Sequence, residues 1–550
     1  MTKPPVLSNV LSDSRTRNLL LVLTIMLAAG LRLWALDARC LWYDEVATWV
    51  HASAGGVEDV LSSVLRKELP AAPLHFLLTH FVLSLDDTDF LLRFPSVVFG
   101  VLTVAATYSL GTQLFGRRIG LVAAFLLAIS PFHIRYSREA RAYAQLMLLS
   151  VLSLYCLWRA LSEARAKWWI GFATFTALGL YTHLFALLFL LAESVFCVGV
   201  GLLAASRPQE LPEARRKAAS FVASLLAIAM LYAPMMPYLL QGMDRQVGLA
   251  SVGKGMSVTA AFVVSMVGSF SSGPGLDLMA FLALFLLGIV VSARSHRVQL
   301  WLTSCWTVVP FLALYVVQAR HGVHPRYMIF ILPIWLVLVS QGLIAVGSAA
   351  SAWLSRRWGH GQIVACALLL SVLASMSLGR TWSYYAEDRA DWRAVAAFLG
   401  ASVAPGEEMA SPGPLAGTVL PRYEERLEEG RFSRGGSEVF LDSTSQKSAG
   451  VWFVARSGRN MKAVEEDLKA ASFSVFKVVF PVDRRSAETA IALDVGPMFY
   501  DLCVLYARDG LEHGELEVRY QQALRVVSPQ AAASIYSALE ELGRGELRSD

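Results

Sequence analysis

Two carboxylates stand side by side at Asp44 and Glu45, within "CLWYDEVATW" (residues 40–49). Trp42, Tyr43 and Trp49 flank them, and the nearly all-apolar run 19–36 precedes them. A carboxylate at the mouth of a membrane helix can serve as a general base, deprotonating a hydroxyl or amine so that it attacks an electrophilic carbon. Glu45 beside it would hold a metal, orient the acceptor or repel the charge of Asp44. The plainer role for both is a solvated place at the interface, and an aromatic belt at head-group depth suits either role. A second group is basic: Arg93, Arg135, Arg138, Arg141, Arg320 and Arg326 fall at the outer ends of apolar runs, where short loops are normally poor in arginine. The guanidinium fork matches a phosphate or pyrophosphate bidentately, so the cluster suits an anion at the membrane surface. Lipid head groups, or salt bridges to Asp44, Glu45 and Glu139, are the structural alternative. His75, His80, His183, His321 and His324 fall on or near the same side. No HxH or HxxxH spacing puts two of them with an acid on one face, so the residues permit a divalent metal without predicting one.

The elements that must position these residues are membrane helices. The chain has 550 residues, 55% hydrophobic and 17% charged, with a mean hydropathy of +0.50. An average soluble domain is about one quarter charged, so this balance argues for a polytopic membrane protein. About eleven runs of spanning length lie near 19–36, 95–115, 119–136, 143–160, 168–185, 186–204, 218–240, 276–294, 298–318, 327–347 and 362–379. The shorter stretches 71–85 and 257–270 belong in or near the interface. Lys3, Arg15 and Arg17 before the first run resemble a signal peptide, but the run is long enough to span and no small-x-small cleavage site follows, so it reads as an uncleaved helix. With the N-terminus inside, every inner loop is basic, as at Arg117–Arg118, Arg215–Arg216–Lys217 and Arg356–Arg357. An odd number of spans then places everything after about residue 380 outside. The net charge of +5 sits in short clusters between apolar runs, which suits membrane topology and not nucleic acid. Six cysteines form no CxxC, leaving neither a zinc site nor a disulfide framework; Cys40 and Cys503 are the one pair that could share an oxidising compartment.

Beyond residue 380 the pattern changes. A helix at "DWRAVAAFLG", strands at "GVWFVA", "FSVFKVVF" and "FYDLCVLYA", and helices at "NMKAVEEDLKAA" and "PQAAASIYSALEEL" read as a small α/β domain. It contains no GxGxxG and no P-loop, so no nucleotide site is expected in it. The expected organisation is a transmembrane body over 1–380 and an extracytoplasmic α/β domain over 381–550.

In order along the chain follow "LWYDEVATW", "APLHFLLTHFVLSL", "FLLRFPSVVFGVLTVAATYSLGTQLFGRRIGL", "ISPFHIRYSREARAYAQLM", "YTHLFALL" and "HPRYMIFILP". This ordered set, over roughly residues 15–390, resembles glycosyltransferase family 39 of the GT-C superfamily, the bacterial relatives of protein O-mannosyltransferases and of the lipid A aminoarabinose transferase. The resemblance implies a multi-pass enzyme of the bacterial inner membrane. It would take a sugar from a polyprenyl-phosphate carrier on the outer face and pass it, with inversion, to an extracytoplasmic glycan, lipid or protein acceptor. The family's acidic residue in the first outer loop matches Asp44, with Glu45 beside it. Its carrier-phosphate arginines match Arg93, Arg138 or Arg141, and Arg326, with Tyr143 and Tyr327 as neighbours. His75, which stands where the family usually has an aromatic, joins Glu139, His183 and His324 as a site neighbour. Two other classes remain open: a lipid or lipid-linked sugar transporter, against which the charges lie at span ends and not at the midplane, and a non-catalytic envelope glycan-binding membrane protein.

Overall fold

The computed structural model describes residues 14–67, 72–240, 259–317, 324–354, 361–386 and, with interruptions at 405–406, 412–413, 426, 428–431, 435–450, 457–465, 467–473, 481–501 and 509–512, residues 391–546. The chain divides into two compact units. One comprises Met1–Leu36, Thr48–Tyr385 and Ala492–Asp494; the other comprises Asp37–Ala47, Ala386–Ile491 and Val495–Asp550.

The first unit is helical. Its helices are α1 (Ser14–Leu33), α2 (Tyr43–Ala52, which carries the division between Ala47 and Thr48), α3 (Val57–Lys67), α4 (Leu74–Leu83), α5 (Asp89–Phe115), α6 (Arg117–Ile129), α7 (Pro131–Ser137) and α8 (Tyr143–Glu163). There follow α9 (Ala166–Thr182), α10 (Ala186–Ala205), α11 (Leu211–Tyr232), α12 (Ala260–Phe270), α13 (Leu276–Ser295), α14 (Arg297–Val317), a 3-10 segment Pro325–Ile331, α15 (Leu332–Leu354) and α16 (Gly361–Ala386). Among the described residues, nine helices are long and apolar enough to cross a membrane, ten if the bent pair α6–α7 counts as one span. The remaining expected run is α9, with 17 residues. Each of the eleven apolar runs is thus helical, with 119–136 broken into α6 and α7 and 327–347 starting in the 3-10 segment, and the protein is a multi-pass membrane protein. Large apolar side chains such as Leu19, Met26, Leu202, Leu226 and Met230 point outward from the spans, as a lipid-facing surface requires. The short stretches 71–85 and 257–270 form α4 and α12, too short to span.

Three local features shape this unit. Pro131 has no N–H to give Leu127, so the helix breaks there and α6 and α7 meet at 63°. Ser130 caps the new helix by accepting from His133 N at 3.4 Å. Arg32 of α1 supplies the donors the break removed, from Nη1 to Ala128 O (3.0 Å) and from Nη2 to Leu127 O (3.3 Å), with Nη2 also 2.6 Å from His133 Nδ1. Where α13 crosses α15, a Cβ on Gly288 would lie 2.0 Å from Leu338 O and one on Gly342 1.9 Å from Leu284 O, so only glycine permits that approach. Between α8, α9 and α10, the fully buried Glu193 accepts from Ser153 Oγ at 2.9 Å, and Ser153 meets Thr176 Oγ1 at 2.8 Å.

The second unit holds a five-stranded sheet of β1 (Glu408–Ser411), β2 (Phe432–Arg434), β3 (Val451–Arg456), β4 (Ser474–Phe480) and β5 (Leu502–Arg508), in the order β2-β1-β3-β5-β4. The β1 pairings with β2 and β3 are parallel, and the β3–β5 and β4–β5 pairings are antiparallel. Its helices are α17 (Trp392–Ser402), α18 (Pro414–Tyr423), α19 (His513–Ala523) and α20 (Pro529–Glu546). The strands expected at "GVWFVA", "FSVFKVVF" and "FYDLCVLYA" are β3, β4 and β5, and the expected helices at either end are α17 and α20. The helix expected over 460–471 lies almost wholly outside the described residues. Trp452 and Tyr506 pair across β3–β5 with ring centroids 4.4 Å apart. Beside them Glu407 accepts from Tyr506 (2.6 Å), Trp452 Nε1 (2.8 Å), Ala404 N (2.8 Å) and Arg519 Nη1 (2.7 Å). Burial pushes this carboxyl up, but those hydrogen bonds outweigh it and leave it below the usual glutamate range. All six cysteines, Cys40 and Cys503 among them, are unbridged.

Candidate active site

The expected arginines divide by what holds them. Arg138 ends α7, and its guanidinium turns back onto the end of α1, where the last carbonyls have no intrahelical donor. Nη1 donates to Arg32 O (3.0 Å), Leu31 O (3.4 Å) and, in a short contact, Trp34 O; Nη2 donates to Ala35 O (3.0 Å). The guanidinium carbon also lies 4.9 Å from the Tyr385 ring centroid. Arg93, one turn into α5 and 2% exposed, donates from Nη1 to Leu36 O at 2.8 Å. Both therefore order the chain as it leaves α1. The close packing behind them depends on Gly100, where a Cβ would lie 2.2 Å from Ser137 Oγ and 3.2 Å from Arg32 Nε.

Arg326 sits differently. It is the second residue of the 3-10 segment, and its guanidinium carbon lies over two rings, 5.9 Å from the Tyr143 centroid and 5.5 Å from that of Tyr327. A ring takes the face of a guanidinium, whereas hydrogen bonds use its edge. Tyr143, the first residue of α8, and Tyr327 are themselves 6.1 Å apart. His183 joins them from the α9–α10 turn, 6.2 Å from Tyr143 and 5.6 Å from Tyr327, and His324 meets Tyr327 edge-on at 5.6 Å. Arg141 belongs to the same group. It gives Thr48 Oγ1 a long bond of 3.4 Å, its carbonyl accepts from Ser96 Oγ at 3.2 Å, and its charge acts on both His75 and His183. Residues from α2, α4, α8, the α9–α10 turn and the 3-10 segment thus converge on one basic, aromatic cluster within the first unit.

Both imidazoles in that cluster are held neutral. Burial lowers His75 to about 4, with Gln145 opposing and Arg141 adding to the shift. His75 Nδ1 lies 3.2 Å from Gln145 Oε1. His183 also falls to about 4, through burial first and then the charges of Arg141 and Arg326. Glu139 is fully buried beside Arg135, with Nε–Oε1 at 3.7 Å.

The acidic pair opens α2. Glu45 is fully buried, and its Oε2 accepts from Trp42 N at 3.4 Å, a capping contact across the first turn. Asp44 is half-buried. The segment carrying both is tied to the C-terminal unit: Leu41 N donates to Tyr423 Oη (3.0 Å), Arg393 donates to Asp37 O (2.8 Å) and Ala38 O (3.2 Å), and Cys40 Sγ lies 3.7 Å from Asp391 Oδ1. Among the described residues no group of three His, Cys, Asp or Glu side chains comes together as a metal site. Arg320 and His321 lie outside the described residues.

Residues 70–207 match the family model of dolichyl-phosphate-mannose-protein mannosyltransferases. Among solved structures, ArnT from Cupriavidus metallidurans bound to undecaprenyl phosphate is similar over 88% of this chain and 97% of its own, with a TM-score of 0.56 at 12% identity. The same protein in the apo state gives 0.54 at 13% identity over the same shares. The chain shares the fold of these two structures. The archaeal oligosaccharyltransferase AglB from Archaeoglobus fulgidus, in complex with an inhibitory peptide and a dolichol-phosphate, is similar over 84% of this chain and 73% of its own, with a TM-score of 0.50 at 12% identity. No curated protein sequence matches it. The helical body with a small C-terminal sheet is accordingly a fold shared with these solved structures.

Several participants escaped the sequence reading. Arg32 and Glu193 carried a signal, since each is an isolated charge inside an apolar run. Thr48, Gln145 and Phe185 carried none, because each matters only through the partner that the fold brings to it.

Proposed function

We propose that this protein is a membrane glycosyltransferase of the GT-C kind, which draws its sugar from a polyprenyl-phosphate carrier on the extracytoplasmic face and transfers it with inversion to a hydroxyl or amine acceptor. The observation that carries this reading is the cluster in which Arg326 lies over Tyr143 and Tyr327, with Arg141 and two neutral histidines beside it. It supplies positive charge against a low-dielectric aromatic wall, the setting in which a departing phosphate is best stabilised. The acceptor oxygen or nitrogen attacks the anomeric carbon, and the bond from that carbon to the phosphate oxygen breaks. The polyprenyl phosphate leaves with the electron pair, its growing charge met by Arg326 and Arg141. Asp44 takes the acceptor proton. Support for that role comes from α2, on which Asp44 lies one turn before Thr48, the residue that accepts from Arg141. Glu45, capped onto Trp42 N, holds the turn that presents Asp44. Arg93 and Arg138, engaged with backbone carbonyls, are assigned to positioning. The basic inner loops set the orientation with the N-terminus inside.

The test is lipid mass spectrometry on cells producing the native chain or Asp44→Asn at equal membrane abundance. A polyprenyl-phosphate sugar that accumulates only with the variant identifies the donor by mass. Unchanged carrier lipids together with unchanged surface glycans would sink the transferase mechanism in favour of transport or glycan binding.

A further inference from the structure

His183 carries a chemical detail that its sequence position does not. Its Nδ1 accepts the backbone N–H of Phe185 at 3.2 Å. Only a ring nitrogen with a lone pair can accept, so the single proton of the neutral imidazole resides on Nε2, which is thereby a hydrogen-bond donor. The ring stands among Tyr143, Phe185 and Tyr327, the first and last of which also carry the Arg326 guanidinium. Arg141 and Arg326 both act on it electrostatically. A third cation between two guanidiniums would repel them, whereas a neutral donor adds directionality without charge.

We propose that His183 is a third contact to the carrier phosphate, donating its Nε2–H to a phosphate oxygen beside Arg141 and Arg326. The inference rests on the donor site proposed above. The proton stays on the imidazole and no bond is made or broken there. The tautomer is set by a main-chain donor, so the contact is preorganised before the lipid arrives.

The experiment measures binding of undecaprenyl phosphate to the full-length protein in nanodiscs across a salt series. In His183→Asn the amide oxygen takes the place of Nδ1 and keeps the Phe185 N–H satisfied, while the Nε2 donor is lost. Binding is expected to weaken by about tenfold, with the melting temperature and the salt dependence unchanged. His183→Gln, whose amide N–H reaches toward the Nε2 position, should recover most of the loss. Arg326→Ala should weaken binding and also flatten its salt dependence. Native affinity in His183→Asn, with Arg326→Ala still impaired, overturns the role of His183 and leaves the donor site standing. Native affinity in both variants removes the donor site itself. Nitrogen-15 NMR of labelled histidine in the native protein reads the tautomer without any substitution, and a His183 proton on Nδ1 would refute the assignment.

Discussion

Arg138 and Arg326 are both buried arginines of the membrane unit, 6% and 8% exposed, yet they do different work. Arg138 donates to four carbonyls at the end of α1. Arg326 is held by its face over Tyr143 and Tyr327. The first arrangement is a cap on a helix terminus, and the second is a seat from which a guanidinium can meet an anion. A buried arginine at the end of a span is therefore not by itself a mark of ligand binding; its surroundings decide. The second unit offers the matching case among acids. Glu407 is enclosed by four donors and belongs to the core, whereas half-buried Asp44 opens a helix whose next turn reaches Arg141 through Thr48.

Substitution can break this contrast at its strongest point first. Arg138→Met leaves the terminal carbonyls of α1 without their donor, at a cost of several kcal/mol because bonds from a charged donor contribute about 1.5–3 kcal/mol each. Membrane abundance and melting temperature should both fall steeply, and Arg138→Lys should not restore them, since one ammonium cannot span that set of carbonyls. A stable but inactive Arg138→Met would move Arg138 into the phosphate site and erase the distinction. Next comes Arg326→Ala, expected to lower turnover by about a hundredfold or more with the fold retained, as the loss of one preorganised charge-stabilising group typically does. Turnover at equal protein abundance, beside a thermal scan, is the measurement. If the scan collapses instead, Arg326 is structural.

Glu407→Gln tests the enclosed acid through pH. The folded carboxyl lies below its usual value, so its contribution is present above the unfolded glutamate pKa of about 4.3 and is lost as pH falls through that value toward the lower folded one. Between neutral and acid pH the native protein should lose about 2 kcal/mol more unfolding free energy than Glu407→Gln does, the order expected for hydrogen bonds to a charged group, and thermal melts across pH read the difference. Parallel curves for the two proteins would show that Glu407 contributes nothing as an anion. The smallest effect is expected at Thr48, whose bond from Arg141 is 3.4 Å long. Thr48→Val should change turnover by less than about threefold, or well under 1 kcal/mol. A tenfold loss would mean that this hydroxyl orients Arg141 closely.

The spans were legible because hydropathy is a local property of composition. Every apolar run is helical, although 119–136 is broken at Pro131 and α5 begins six residues earlier than its run at 95. Its first turns hold Asp89 and Arg93, which lower the local hydropathy, while Thr88 caps the start by accepting from Leu91 N and Pro95 sits close enough to that end to be tolerated. The three strongest strands were legible through their short β-branched and aromatic runs. Strands β1 and β2, of four and three residues, were too short for a pattern to show. The arginines stood out in the sequence by their number at span ends, but their division into caps and ring-seated groups did not.

By itself, then, the sequence determined a polytopic helical body, a terminal α/β unit, an acidic pair after the first span and a set of arginines at span ends. These follow from composition and spacing, which act over a turn or a span of chain. Tertiary structure alone decided that Arg138 would serve carbonyls more than a hundred residues before it, that Arg326 would meet Tyr143, that Asp37–Ala47 would count with the C-terminal unit, and that a main-chain N–H would fix the proton of His183 on Nε2. Each is a hydrogen bond, ring contact or docking created by the path of the chain, and such partners cannot be read from residue types before that path exists.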